Sequence, residues 1–130
     1  MIIYMGNNDA LVQNLNTANF EKSYRNMLNN LYTLYPNIQL FLGTLSYEKY
    51  FVGKDYYEEH VLVTAEVNRI IQSLASEYNL PIIDFATAYS DSSYLFDTIH
   101  PNVLGMKALA NVAIDAISKF YNPTIWTDIL

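Results

Sequence analysis

The pattern of apolar residues along the chain predicts three short, buried β-strands. Apolar residues follow one another with little polar alternation at residues 1–5, 38–43 and 80–85. Strands that are covered on both faces have this pattern, because their side chains point alternately into two apolar layers. We therefore expect all three runs to lie inside the protein.

Between and after these runs, apolar residues recur every three or four positions, as they do along one face of a helix. This periodicity predicts helices from Thr17 to a stop before Pro36, from Val61 to Tyr78, and from Val103 to about Tyr121. The residues predicted to face inwards are Phe20, Tyr24, Met27, Leu28, Leu31 and Leu34 or Tyr35 in the first helix, Val63, Val67, Ile70, Ile71, Leu74 and Tyr78 in the second, and Met106, Leu109, Ala110, Ala113, Ile117 and Phe120 in the third.

The order of the elements, strand then helix three times over, predicts a parallel sheet built from two right-handed βαβ units and a final helix. The expected fold class is α/β, with three layers in the order α/β/α. A chain of 130 residues without internal repeats forms one domain. Functional groups of an open parallel sheet gather beyond the carboxyl ends of its strands, which places the polar loops at residues 6–15, 44–60 and 84–101 on one rim.

Composition narrows the possible partners. Hydrophobic residues make up 52% of the chain and charged residues 15%, against about 25% charged in ordinary soluble domains, so a face normally covered by other protein is expected to be bare. The net charge of −6 disfavours nucleic acids and anionic membranes. The chain has no cysteine and therefore no thiol nucleophile.

No apolar run reaches the length of a membrane span and no signal peptide is present, so the cytoplasm is the default localisation unless a signal precedes Met1.

The strongest chemical signal is an aspartate and a histidine three residues apart, Asp97 and His100, just before the last predicted helix. The carboxylate can accept a hydrogen bond from one ring nitrogen, which fixes the tautomer and leaves the other nitrogen to act as a base. Two other interpretations stay open. In one, the pair is a solvated aspartate and a packing histidine at the start of a helix. In the other, the two bind Zn²⁺ together with His60, the chain's second histidine.

A second signal follows the first strand, where the chain reads Gly6-Asn7-Asn8-Asp9. A buried strand that ends at Gly-x-Asn-Asp, with Asp-x-x-His-Pro near the other end of the chain, resembles the SGNH hydrolases, also called the GDSL esterase/lipase family. The resemblance implies a flavodoxin-like fold, an oxyanion-hole role for Asn8 with support from Gly6, and a catalytic Asp97–His100 pair. It implies an ester hydrolase that needs no cofactor and no metal. Asn8 as a simple turn residue is the alternative.

The chain departs from this family at the nucleophile. None of its four glycines is followed by Asp-Ser, the motif that carries the family's catalytic serine. Ser46, Ser90, Ser92 and Ser93 share the polar rim, but none stands on a strand-to-helix turn beside a glycine. We therefore expect residues 1–130 to form a single SGNH-like domain without its N-terminal strands, inactive by itself. The alternative is a non-catalytic remnant or interaction module of the same fold.

Aromatic residues of the loop after the second strand, among them Tyr47, Tyr50 and Tyr57, could form a wall for a carbohydrate, lipid or other small-molecule ester. Alternatively, they pack over the sheet edge.

The run from Ile2 to Met5 lacks the Lys, Pro or Glu that usually protects an edge strand. We expect this edge to pair with a missing N-terminal segment or with a second copy of the chain.

Overall fold

The structure is a computed structural model that describes residues 1–11, 14–46, 57–89, 91–97 and 100–122; of residues 57–59 it describes the backbone alone. The elements in chain order are β1 (Ile2–Ile3), α1 (Asn7–Ala10), α2 (Thr17–Leu34), β2 (Phe41–Gly43), α3 (Tyr57–Glu77), β3 (Ile82–Ile83) and α4 (Val103–Tyr121), with short 3₁₀ turns at Phe85–Thr87 and Ser92–Tyr94.

The three strands form a parallel sheet in the order β1-β2-β3. Ile2 lies opposite Phe41, and Leu42 lies opposite Ile82. The sheet and its helices confirm the predicted α/β class. The strands are shorter than predicted. In β1 this is because the strand soon gives way to the turn at Gly6, whose φ of 121° directs the chain into α1. The polar loop predicted at residues 6–15 therefore contains a short helix.

Helices α2 and α3 cover one face of the sheet. Between them and the sheet lies the main core, in which Leu28, Leu42, Ile71 and Leu74 are almost completely buried. Helix α2 has the predicted bounds, since Asn16 caps its first turn with a side-chain oxygen 3.0 Å from the Asn19 amide. Helix α3 begins earlier than predicted, at Tyr57, so that His60 is a buried helical residue instead of a loop residue.

Among the described helices, α4 is the one that packs on the other face of the sheet. It packs Leu109, Ala113 and Ile117 over a small cluster formed by Phe41, Ile83 and Phe85. Its bounds were predicted correctly. None of the described helices is both long and apolar enough to cross a bilayer.

Several residues predicted to be buried are exposed. Ile3 is buried under α2 and α3, but Ile2 on the opposite face is 42% exposed, so β1 is not the fully buried strand that its sequence predicts. The side of α4 that packs on the sheet carries Leu109, Val112, Ala113, Ala116 and Ile117. Met106, Ala110 and Phe120, which were predicted to face inwards, are therefore exposed, and Leu34 and Tyr35 at the end of α2 are exposed as well.

Candidate active site

The loops at the carboxyl edge of the sheet enclose a cavity of about 440 Å³. Gly6 and Asn8 line it from the loop after β1, Ser46 from the segment after β2, and His100 from the loop before α4. Tyr4, Asp9 and Tyr89 also reach it. Three of the residues predicted from sequence, Gly6, Asn8 and His100, thus meet in one place although they come from opposite ends of the chain.

Asp97 makes two hydrogen bonds to His100. One carboxylate oxygen, Oδ2, lies 2.8 Å from the ring nitrogen Nδ1, and the other, Oδ1, accepts the backbone N–H of His100 at 2.7 Å. The side chains are 72% exposed for His100 and 47% exposed for Asp97. A carboxylate on Nδ1 orients the ring and selects the tautomer in which Nε2 can take a proton.

The loop that carries this pair is closed by Asn102. Its side-chain amide donates to the carbonyls of Ser93 and Leu95, at 2.7 and 3.2 Å. Its side-chain oxygen accepts the N–H groups of Leu104 and Gly105 and so caps α4. Leu95 and Pro101 also form an antiparallel bridge. Asn102 therefore ties the His100 loop to the start of α4.

Close packing at the start of α4 requires a glycine. A Cβ atom at Gly105 would collide with the backbone oxygen of Tyr94 and would lie 2.8 Å from the Cβ of Pro101. The absence of a side chain lets the helix start rest directly on the loop that holds His100.

The loop of Asn8 is held from two sides. Gly6 takes a φ that other residues rarely adopt, and a Cβ there would lie 3.2 Å from the Phe20 ring. At the other end of α1, the Ala10 carbonyl lies 2.9 Å from Nδ1 of His60. Asn8 itself is exposed at the cavity. His60 thus anchors the α1 loop. It is buried in α3, whereas His100 is exposed at the cavity and lies far from His60 in the sequence.

The segments after β2 and β3 are also joined. The Thr44 hydroxyl donates to Asp84 at 2.9 Å and accepts the Ala86 N–H at 3.0 Å. These hydrogen bonds connect two neighbouring parts of the rim.

Two buried hydrogen bonds hold the backbone just before Ser46. The Asn68 side chain of α3 accepts the Leu45 N–H at 2.6 Å and donates to the Leu45 carbonyl at 2.9 Å. We call this contact the Asn68 bracket. This role of Asn68 was not predicted from the sequence, although an asparagine among the apolar residues of an inward helix face is a signal of it. Asn102 was missed as well, and its place directly before a helix is the usual signal of a cap.

Part of the predicted substrate wall belongs to the segment that the structure does not describe. Tyr47 and Tyr50 lie outside the described residues, and so does the side chain of Tyr57. Tyr4 and Tyr89 are the aromatic residues that line the cavity among those described. Within the same described ranges, no three His, Cys, Asp or Glu side chains cluster in a way that could hold a metal ion.

An open parallel sheet with its polar groups at the carboxyl edge is the general arrangement of α/β enzymes. The sequence matches the GDSL-like Lipase/Acylhydrolase family over residues 1–108. The chain therefore belongs to this family, as its motifs predict, and the general activity of the family is the hydrolysis of acyl esters. No curated protein and no solved structure matches the chain.

Proposed function

We propose that the chain carries the acid–base and oxyanion-binding half of a serine ester hydrolase. His100 is the general base and later the general acid, Asp97 orients it, and Asn8 donates a hydrogen bond to the oxyanion. The observation that carries this proposal is that Asn8, Gly6 and His100 line one cavity while Asp97 holds Nδ1 of His100. The substrate is a small-molecule, carbohydrate or lipid ester.

The chemical sequence follows from these positions. A serine hydroxyl attacks the ester carbonyl while Nε2 of His100 accepts its proton. The carbonyl oxygen becomes an oxyanion that the Asn8 amide stabilises, a contribution worth about 10²–10³ in rate. His100 then returns the proton to the departing alcohol. Water repeats the cycle on the acyl-enzyme and releases the acid.

The nucleophile is proposed to come from residues outside this sequence, since the 130 residues contain no Gly-Asp-Ser. The chain by itself should then turn over p-nitrophenyl acetate no faster than its His100→Ala variant. Triad members act as a unit, so that loss of the nucleophile costs about 10⁴–10⁶ in rate. Robust turnover that disappears in His100→Ala contradicts this part of the proposal.

The decisive experiment supplies a Gly-Asp-Ser segment, either from the reading frame upstream of Met1 or from a related enzyme. Esterase activity should appear and should fall by about 10²–10³ in kcat, with little change in KM, in Asn8→Ala. Asn30→Ala, on the exposed side of α2, is the matched control and should leave kcat unchanged. An unchanged kcat in Asn8→Ala removes Asn8 from the oxyanion hole.

The missing motif also favours a second candidate, a non-catalytic module that keeps the fold. The upstream reading frame separates the two candidates. An in-frame Gly-Asp-Ser segment supports the hydrolase, and a stop codon or an unrelated sequence at that place supports the non-catalytic module.

We also propose that a second copy of the chain pairs with the outer edge of β1. Ile2 and Met5 are exposed there, and β1 is the edge of the described sheet. Burial of about 400 Å² of apolar surface contributes about 10 kcal/mol, which is comparable to the stability of a whole domain. Sedimentation of the chain at micromolar concentration should show a dimer, and a well-folded monomer contradicts the proposal.

A further inference from the structure

The inner wall of the cavity carries a pair of hydroxyl groups that the proposed chemistry does not use. The phenol oxygen of Tyr4 and Oγ of Ser46 lie 3.1 Å apart and are hydrogen-bonded, and both residues line the cavity together with Asn8 and His100. Both side chains are half-buried. We call this contact the Tyr4–Ser46 pair.

Both partners of the pair are held in place from behind. The Tyr4 ring packs against Phe85 with ring centroids 4.6 Å apart. That contact depends on Gly43, where a Cβ atom would lie 2.6 Å from the Phe85 ring and 3.2 Å from the Tyr4 ring. Ser46 follows directly on Leu45, whose backbone is fixed by the Asn68 bracket. The two hydroxyl groups are therefore positioned before any ligand arrives, which lowers the cost of binding.

The hydrogen-bonding capacity of the pair defines what it can accept. Two hydroxyl groups have two hydrogens, and the bond between them uses one, so one donor and several acceptor lone pairs remain. Among the described residues, neither group makes another hydrogen bond. A ligand hydroxyl, which is itself donor and acceptor, matches this capacity. An alkyl chain would displace water from the pair without replacing its hydrogen bonds, which is unfavourable.

The charges around the cavity point to an uncharged ligand. Asp9 contributes a carboxylate to the lining, and no Lys or Arg is found among the described lining residues. The whole chain carries a net charge of −6. Beside these described lining residues, a phosphate or carboxylate on the substrate would meet the Asp9 carboxylate without a cationic partner.

We infer that the ester substrate is neutral and hydroxylated, such as an acyl ester of a sugar or another polyol, and that the Tyr4–Ser46 pair binds one of its hydroxyl groups beside the ester. This inference rests on the proposed function, since it assigns the substrate class of the same site. The cavity volume of about 440 Å³ is in the usual range for a small-molecule site.

The experiment measures binding, which does not require the nucleophile. Isotope-labelled chain is titrated by NMR with 6-O-acetylglucose and with cyclohexylmethyl acetate, which has a six-membered ring and the same ester group but no ring hydroxyls. The wild type should bind the sugar ester more tightly. Tyr4→Phe, which keeps the ring contact with Phe85, and Ser46→Ala should each lower this preference about three- to ten-fold, the effect of one hydrogen bond between uncharged groups.

Two comparisons separate binding from folding. Affinity for cyclohexylmethyl acetate should not fall in either variant, which shows that the cavity is intact. The double variant should lose little more than either single one, since the two hydroxyl groups act together. Ser73→Ala, at an exposed position of α3, is the matched control and should retain the full preference.

An unchanged preference in both variants overturns the inference, and so does equal binding of the two esters, or no binding of either, by the wild type. A loss of kcat on cyclohexylmethyl acetate in Ser46→Ala, measured with the Gly-Asp-Ser segment supplied, also overturns it, because Ser46 would then take part in the chemistry. The proposed function fails on a different result, the absence of His100-dependent turnover of any ester. The two failures are therefore distinguishable.

Discussion

The two faces of the sheet differ in how they are covered and in what they contribute. The face under α2 and α3 holds the main core, with Leu28, Leu42 and Ile71 fully buried. Under α4, the buried residues among those described are Phe41, Ile83 and Phe85, and apolar side chains of the helix such as Ile114, which is 62% exposed, face away from them. Nevertheless, the loop at the start of α4 carries Asp97 and His100. The larger core therefore lies on one face of the sheet, whereas the proposed Asp97–His100 pair stands on the loop before the helix that packs on the other face.

The largest expected effect on stability comes from a comparison of the main core with the exposed side of α4. Leu42→Ala, in the main core, should lower the free energy of unfolding by about 2–5 kcal/mol, because it removes buried surface and leaves a cavity. Ile114→Ala, on the exposed side of α4, should change it by less than about 0.5 kcal/mol. Urea unfolding of both variants measures the difference. Similar losses in the two variants would show that the α4 face is covered in solution.

The Asn68 bracket tests whether the well-covered face also supports the site. Asn68→Leu removes two buried hydrogen bonds and leaves the Leu45 N–H and carbonyl without them, which should cost about 2–4 kcal/mol, since each unsatisfied group costs about 1–3 kcal/mol. It should also weaken the binding of 6-O-acetylglucose, because Ser46 follows Leu45. Urea unfolding and the NMR titration measure the two effects. Unchanged stability would mean that Asn68 does not hold this segment.

Gly105→Ala tests the face of the sheet that carries His100. Replacing glycine by alanine inside a helix normally stabilises it by about 1 kcal/mol, but here the new methyl group meets Tyr94 and Pro101. We expect a loss of about 1–3 kcal/mol from overpacking. Thermal or urea unfolding measures it, and Asn111→Ala, at an exposed position of the same helix, is the control. A gain in stability for Gly105→Ala would show that the loop and the helix start are not in contact.

The smallest expected effect concerns Tyr24, in the main core. Burial raises its pKa from 10.0 to about 12. The unfolded chain would ionise this phenol at lower pH than the folded chain, so folding stability should decline as pH rises from about 10 to 12. Its hydroxyl is buried and has no hydrogen-bond partner among the described residues.

Tyr24→Phe should therefore change stability at pH 7 by less than about 1 kcal/mol and should reduce the alkaline decline by on the order of 1 kcal/mol. Urea unfolding at neutral and at alkaline pH measures both. Tyr35→Phe, at an exposed position, is the control. An alkaline decline of the same size in Tyr24→Phe would show that this phenol ionises as easily in the folded protein.

The sequence by itself determined the features that depend on neighbours along the chain. The bounds of α2 and α4 follow from apolar periodicity together with caps and prolines, and the alternation of strands and helices predicted the parallel sheet. The contact between Asp97 and His100 is also local, because three residues on one loop bring the carboxylate to the ring. The two motifs, one directly after a predicted strand and the other directly before a predicted helix, were sufficient to predict the family.

Only the tertiary structure decided what depends on distant parts of the chain. Ile2 and Ile3 look alike in sequence, but one is exposed and the other buried, because the number of helices over each face is a property of the whole fold. His60 stood in a predicted loop, yet it is buried in α3 against Ala10. The Tyr4–Ser46 pair joins the ends of two strands that meet only when the sheet forms. Such contacts leave no periodic pattern in the sequence, because the partners are brought together by the packing of other residues.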